Sequence, residues 1–139
     1  MLIDGVTAIL LISPDAGALA DFYRNVLDLP MQDEEHPGIP LHYGCDVGGV
    51  HLAIHSNAGF AGVPTRNGQS PAIVLRTSSV KAVFERLSLS HVHPTGPTDH
   101  GFGLIVSFRD PDGNCVEILE EYEKSFEPES AAGVRRANS

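Results

Sequence analysis

The sequence predicts an α+β fold of two βαβββ modules that close around a shared cavity. Three observations carry this reading. Strand-like and helix-like patterns alternate in a fixed order, that order occurs twice at an offset of about 64 residues, and neither copy is large enough to bury its own sheet face. Residues 1–125 are read as one domain with modules at 5–56 and 71–121, and 126–139 as a mobile C-terminal tail of Glu, Ser, Ala and Arg without periodicity.

Each element follows from local chemistry. Val6 to Ile12 is a short β-branched and Leu-rich run, ended by Ser13-Pro14-Asp15, so a strand gives way to a helix start. Leu19, Phe22, Tyr23, Val26 and Leu27 recur at helical spacing, an amphipathic helix stopped by Pro30. Tyr23 lies on its apolar stripe and is expected to pack as core. A loop at His36-Pro37-Gly38 precedes Leu41 to Asp46, Gly48-Gly49 and Val50 to His55, which read as a hairpin. After a Gly/Pro/Asn-rich link from Asn57 to Ser70 the pattern restarts. Ala72 to Arg76 is a strand, Ser78 or Ser79 a cap, and Val80, Val83, Phe84 and Leu87 form one helical stripe. A loop from His91 to His100 and the flexible Gly101-Phe102-Gly103 lead to the strand Leu104 to Phe108. An Asp-Pro-Asp-Gly turn at 110–113 and the strand Cys115 to Leu119 complete the repeat.

Composition narrows the function classes. No apolar run approaches the ~20 residues of a membrane span, and the N-terminus lacks a signal-peptide layout, so a cytoplasmic protein is expected. Cys45 and Cys115 form neither a disulfide framework nor a C-x-x-C pair, and both are expected to be reduced. A net charge of −9 argues against nucleic acid, whose phosphates it would repel, and is compatible with neutral or cationic small ligands or with solubility alone.

The most informative stretch is Asp110 to Glu120. Turn chemistry explains its first half, but alternation then puts Val116 and Ile118 on one strand face and Cys115, Glu117 and Leu119 on the other, so a carboxylate shares a face with apolar neighbours. From spacing alone Glu117 is either a solvated edge residue or a group facing a cavity. Together with Phe22-Tyr23-Arg24-Asn25-Val26-Leu27-Asp28-Leu29-Pro30, the Asp-Pro-Asp-Gly-Asn-x-x-Glu-Ile ending resembles the vicinal oxygen chelate superfamily of glyoxalase I, bleomycin resistance proteins and extradiol dioxygenases. The resemblance spans Gly5 to Glu121. It implies a curled mixed sheet in each module, a ligand cleft inside the curl, and homodimers that pair modules from two subunits.

Metal-dependent members of that superfamily draw ligands from the first and last strands of each module. The resemblance carries those positions onto Ala8, Ala72, His51 and Glu117, and the two alanines cannot bind a metal. A His and a Glu alone make a weak site, since zinc centres use about three protein ligands or more. His55 shares the face of His51 but sits roughly 7 Å along the strand. His36, His42, His91, His93 and His100 are unplaced; most read as turn or surface histidines, and any one that swings in could complete a metal sphere. The expectation is therefore no cofactor, with a divalent metal as the alternative. A small organic ligand would rest on Ala8, Leu10, Ala72 and Val74, with His51, His55, Arg76 and Glu117 as polar contacts. Glu117 and His51 are also the candidate proton-transfer groups, and Cys115 a neighbouring thiol. Arg76 shares that side by alternation and could instead pair with Glu117 as a buried structural ion pair. A metal-free binding protein of the bleomycin-resistance kind and a metal-dependent glyoxalase-like lyase or dioxygenase both remain open.

Overall fold

Ten elements run in the order β1 (Ala8–Ser13), α1 (Ala16–Asn25), β2 (Gln32–His36), β3 (Ile39–Val47), β4 (Val50–Ser56), β5 (Ile73–Arg76), α2 (Val80–Leu89), β6 (Thr95–Asp99), β7 (Gly103–Arg109) and β8 (Cys115–Glu121). The structure is a computed structural model that describes residues 2, 4–36, 39–56 and 72–123, leaving aside the side chains at 36, 39 and 40. The expected link at Asn57 to Ser70, the Pro37-Gly38 part of the first loop and the tail from 126 lie outside the described residues.

Each module is βαβββ, as the repeat predicts. The strands form two four-stranded mixed sheets, ordered β1-β4-β3-β2 and β5-β8-β7-β6. In both, the strand before the helix pairs in parallel with the last strand of its module, and the other pairings are antiparallel.

Local chemistry sets the boundaries. Asp15 caps α1 by accepting from the Ala18 amide at 3.1 Å, and Ser79, not Ser78, caps α2 by accepting from the Ala82 amide at 3.1 Å. The first helix ends at Asn25, before Pro30 can act. Asp28 takes a left-handed φ of 60°, which lets the Leu29 amide donate back to the Tyr23 carbonyl at 3.0 Å. Gly48 and Gly49, with φ of 56° and 89°, make the two-residue hairpin between β3 and β4.

Two strands stand where the sequence pattern marked none, β2 leading into the His36-Pro37-Gly38 loop and β6 within the expected loop from His91 to His100. β2 (QDEEH) and β6 (TGPTD) lack apolar alternation because each is the edge of its sheet, where polar side chains and proline are tolerated. Gly103 is a strand residue rather than part of a flexible lead-in. A Cβ there would come within 2.5 Å of the Glu120 carbonyl oxygen, so the close approach of β7 and β8 requires glycine.

One core serves both modules. Leu19, Tyr23, Leu52 and Ile54 of the first meet Leu87, Val106, Val116 and Ile118 of the second. Each sheet thus turns its helix-covered face inward and its opposite face away from the shared core.

Candidate functional site

The outward face of the first sheet carries a continuous chain of polar side chains. Leu52 and Ile54 of β4 are in the core, so His51, Ala53 and His55 point the other way. Strand register sets Asp46 opposite His51 and Gly44 opposite Ala53 on β3, and Gln32 opposite Gly44 and Glu34 opposite His42 on β2. Asp46, His51, Glu34, His42 and His55 then follow one another across three strands. His51 Nδ1 lies 2.8 Å from Asp46 Oδ1, and its Nε2 lies 3.2 Å from Glu34. Glu34 Oε1 is also 3.0 Å from His42 Nε2, and the buried His42 ring stacks on His55 with centroids 4.2 Å apart.

The charge state of His51 follows from this geometry. A neutral imidazole has one N–H, so two carboxylates, one at each ring nitrogen, are both satisfied only by the imidazolium. The hydrogen bond to Asp46, and next the one to Glu34, raises the His51 pKa above the ordinary value, against a smaller opposing effect of burial. Gly44 makes room for the chain, since a Cβ at that position would sit 2.7 Å from both Glu34 Oε1 and His51 Nε2.

On the second sheet, Val116 and Ile118 are core residues, while Cys115, Glu117 and Leu119 share the opposite, partly exposed face. Glu117 stands between Ser107 of β7 and Val74 of β5. Arg76 pairs in register with Leu119 and is exposed, and among the described residues it makes no ion pair with Glu117, so the buried pair is not formed. Instead Arg76 ends β5 and borders a cleft between the modules. Ala72 precedes β5 and is exposed.

Register separates the positions that the sequence treats as equivalent. Leu11 opposite Ile54 corresponds to Leu75 opposite Ile118, and the helix starts Ala16 and Val80 keep the same spacing. By that spacing His51 corresponds to Cys115, and Glu117 to Ala53. Within one chain His51 and Glu117 occupy different sheets, both facing away from the common core, and no hydrogen bond or ion pair joins them. Sequence reasoning brought forward His51 and His55 but missed Glu34, which lies on the unrecognised strand β2, together with the roles of His42 and Asp46.

The donor set does not fit a divalent ion. Ala8, directly opposite His51, and Val74, directly opposite Glu117, offer no ligand atom. Both His51 nitrogens face carboxylates of the protein, and among the described residues no group of three or more His, Cys, Asp or Glu is arranged to hold a metal.

Paired βαβββ modules with this sheet order agree with the sequence comparison, in which residues 5–118 match the Glyoxalase/Bleomycin resistance protein/Dioxygenase superfamily. The chain belongs to this superfamily. Solved structures of similar fold include an antibiotic binding protein from Streptomyces, 22% identical, with a TM-score of 0.73 over 88% of this chain and 99% of that one. A lactoylglutathione lyase from Agrobacterium tumefaciens is 20% identical, with a TM-score of 0.64 over 84% and 93% of the two chains. A glyoxalase/bleomycin resistance protein from Streptomyces is 24% identical, with a TM-score of 0.65 over 83% and 99%. No curated protein matches the sequence significantly. At these identities the superfamily's fold is shared while its reactions are not thereby transferred. Among the described residues no helix is long and apolar enough to cross a membrane.

Proposed function

We propose that this superfamily member binds a small organic ligand, without a metal, on the sheet faces turned away from the shared core. One observation carries the reading. Leu10 and Val74, in the first strand of each module, are 46% and 54% exposed on those faces, beside the small side chains of Ala8 and Ala72. Apolar surface left open next to convergent polar groups is the usual composition of a ligand site. His51 and His55 on one sheet, and Glu117 and Cys115 on the other, supply those polar groups.

Because the two faces point away from one core, a second copy of the chain is the partner that brings a first-module face opposite a second-module face, in a cytoplasmic homodimer. Free Cys45 and Cys115 suit a reducing compartment. That a solved structure of similar fold is an antibiotic binding protein supports the binding of a small organic ligand. A metal-dependent lyase or dioxygenase would need donors that Ala8 and Val74 do not carry.

A thermal-shift screen of chelator-treated protein against aromatic and amphiphilic compounds tests the proposal. The expected result is a rise in melting temperature with compound alone, by mass action on the native state, that is reduced by Leu10→Asp and by Val74→Asp. Stabilisation only after a divalent metal is restored would contradict it.

A further inference from the structure

A cleft of about 270 Å³ opens between the modules on the helix side. Its strand residues Leu75 and Ile118 belong to the inward side, whereas Arg76, the last residue of the edge strand β5, borders the cleft from a position that alternation places on the outward face. Its floor is apolar, formed by Leu27 and Leu29 after α1, Val83 of α2 and Ile118 of β8. The partly buried members of this set pack against the shared core while leaving one side open to the cleft.

Two arginines border this apolar floor. Arg24 pairs with Asp21 and Arg109 donates to the Gly113 carbonyl, whereas Arg76 has no hydrogen-bond or ion-pair partner among the described residues. Among the described residues the Arg86 side chain donates only to the Asn25 carbonyl, a neutral acceptor, and forms no ion pair. Asp28 is the single acidic residue along the lining, and it forms no ion pair with a described residue. In a chain of net charge −9, two guanidiniums with no ion pair among the described residues, beside an apolar depression, form a local exception that favours an anion.

We propose that this cleft is a second ligand site, independent of the sheet-face site, that takes a compact amphiphilic carboxylate. The apolar body of the ligand would lie on Leu27, Leu29 and Val83, and its carboxylate would meet Arg76 and Arg86, whose forked donors suit that group. The volume is near the lower end of small-molecule sites, about 300 Å³, which limits the occupant to a single short chain or ring.

The test is a titration of the full chain with octanoate, followed by amide NMR, with octylamine and 1-octanol as controls. Saturable shifts are expected at Leu27, Thr77 and Val83 with octanoate, weaker binding of octanol, and none of octylamine. The R76Q/R86Q double variant should bind octanoate about tenfold more weakly, as expected for loss of a charge-assisted contact. A82W, at an exposed position on the rim, should block binding with an unchanged melting temperature. The proposal is overturned by linear, non-saturating shifts, by shifts confined to His51 and Ala53 on the sheet face, by equal binding of octylamine, or by octanoate affinity unchanged in both variants.

Discussion

The Tyr23 hydroxyl, on the helix of the first module, donates a 2.8 Å hydrogen bond to Asp110 Oδ2, in the β7–β8 turn of the second. Asp110 is itself buried, and it also accepts from the Asp112 and Asn114 amides and from the Asn114 side chain. The carboxylate that organises the Asp-Pro-Asp-Gly turn thus also ties the two modules together. Burial foremost, and then the nearby Asp110 charge, push the Tyr23 pKa far up, so the phenol remains a donor at any working pH.

Tyr23→Phe removes this inter-module bond while keeping the ring in the core, and should cost about 1.5–3 kcal/mol, the range for a hydrogen bond to a charged group. Asp110→Ala should cost more, because it also strands the turn amides. Urea unfolding of both variants checks the order, and a Tyr23→Phe protein as stable as the parent would show that the modules do not depend on this link.

His51 gives the stability a defined pH dependence. Its folded pKa is raised by Asp46 and Glu34, so the native state holds the proton more tightly than the unfolded chain, whose value is about 6.5. The contribution is therefore fully present below about pH 6.5 and is lost as pH rises through the folded value. The stability gap between the parent and His51→Gln should be widest in mildly acidic buffer and close towards alkaline pH. A gap that widens with pH would reverse the assignment.

Gly44→Ala tests the geometry of the same chain. The added methyl would displace the flexible ends of Glu34 and His51 rather than backbone, so the cost should be modest, about 1 kcal/mol. The informative readout is the imidazole titration of His51 by NMR, which should move back down towards the ordinary value of about 6.5. An unmoved titration would mean that Glu34 does not hold the proton on His51.

The parts of the fold legible in the sequence were those with an apolar period or a specific turn. Val80, Val83, Phe84 and Leu87 marked α2, Gly48-Gly49 marked the first hairpin, and Asp110 to Gly113 marked the last turn. Edge strands β2 and β6 carried no such signal, because one is charged, the other contains proline, and neither contributes an apolar row to the core. The site suffered from the same gap. Glu34 lies on β2, so the link between His51 and His42 was invisible without that strand, and Tyr23 read as a plain core residue because its partner Asp110 is distant in sequence. The 64-residue offset already pairs Glu117 with Ala53 and His51 with Cys115, and the strand register has the same offset, so carrying His51 and Glu117 over as equivalent positions departed from the repeat's own spacing.

The most direct test of the central claim is elemental analysis of protein purified without added metal or chelator, alongside the Glu117→Gln variant. A metal-free ligand site predicts divalent ions far below stoichiometric levels in both proteins. A near-stoichiometric ion in the parent that is lost in Glu117→Gln would contradict the account and make this chain a metalloprotein.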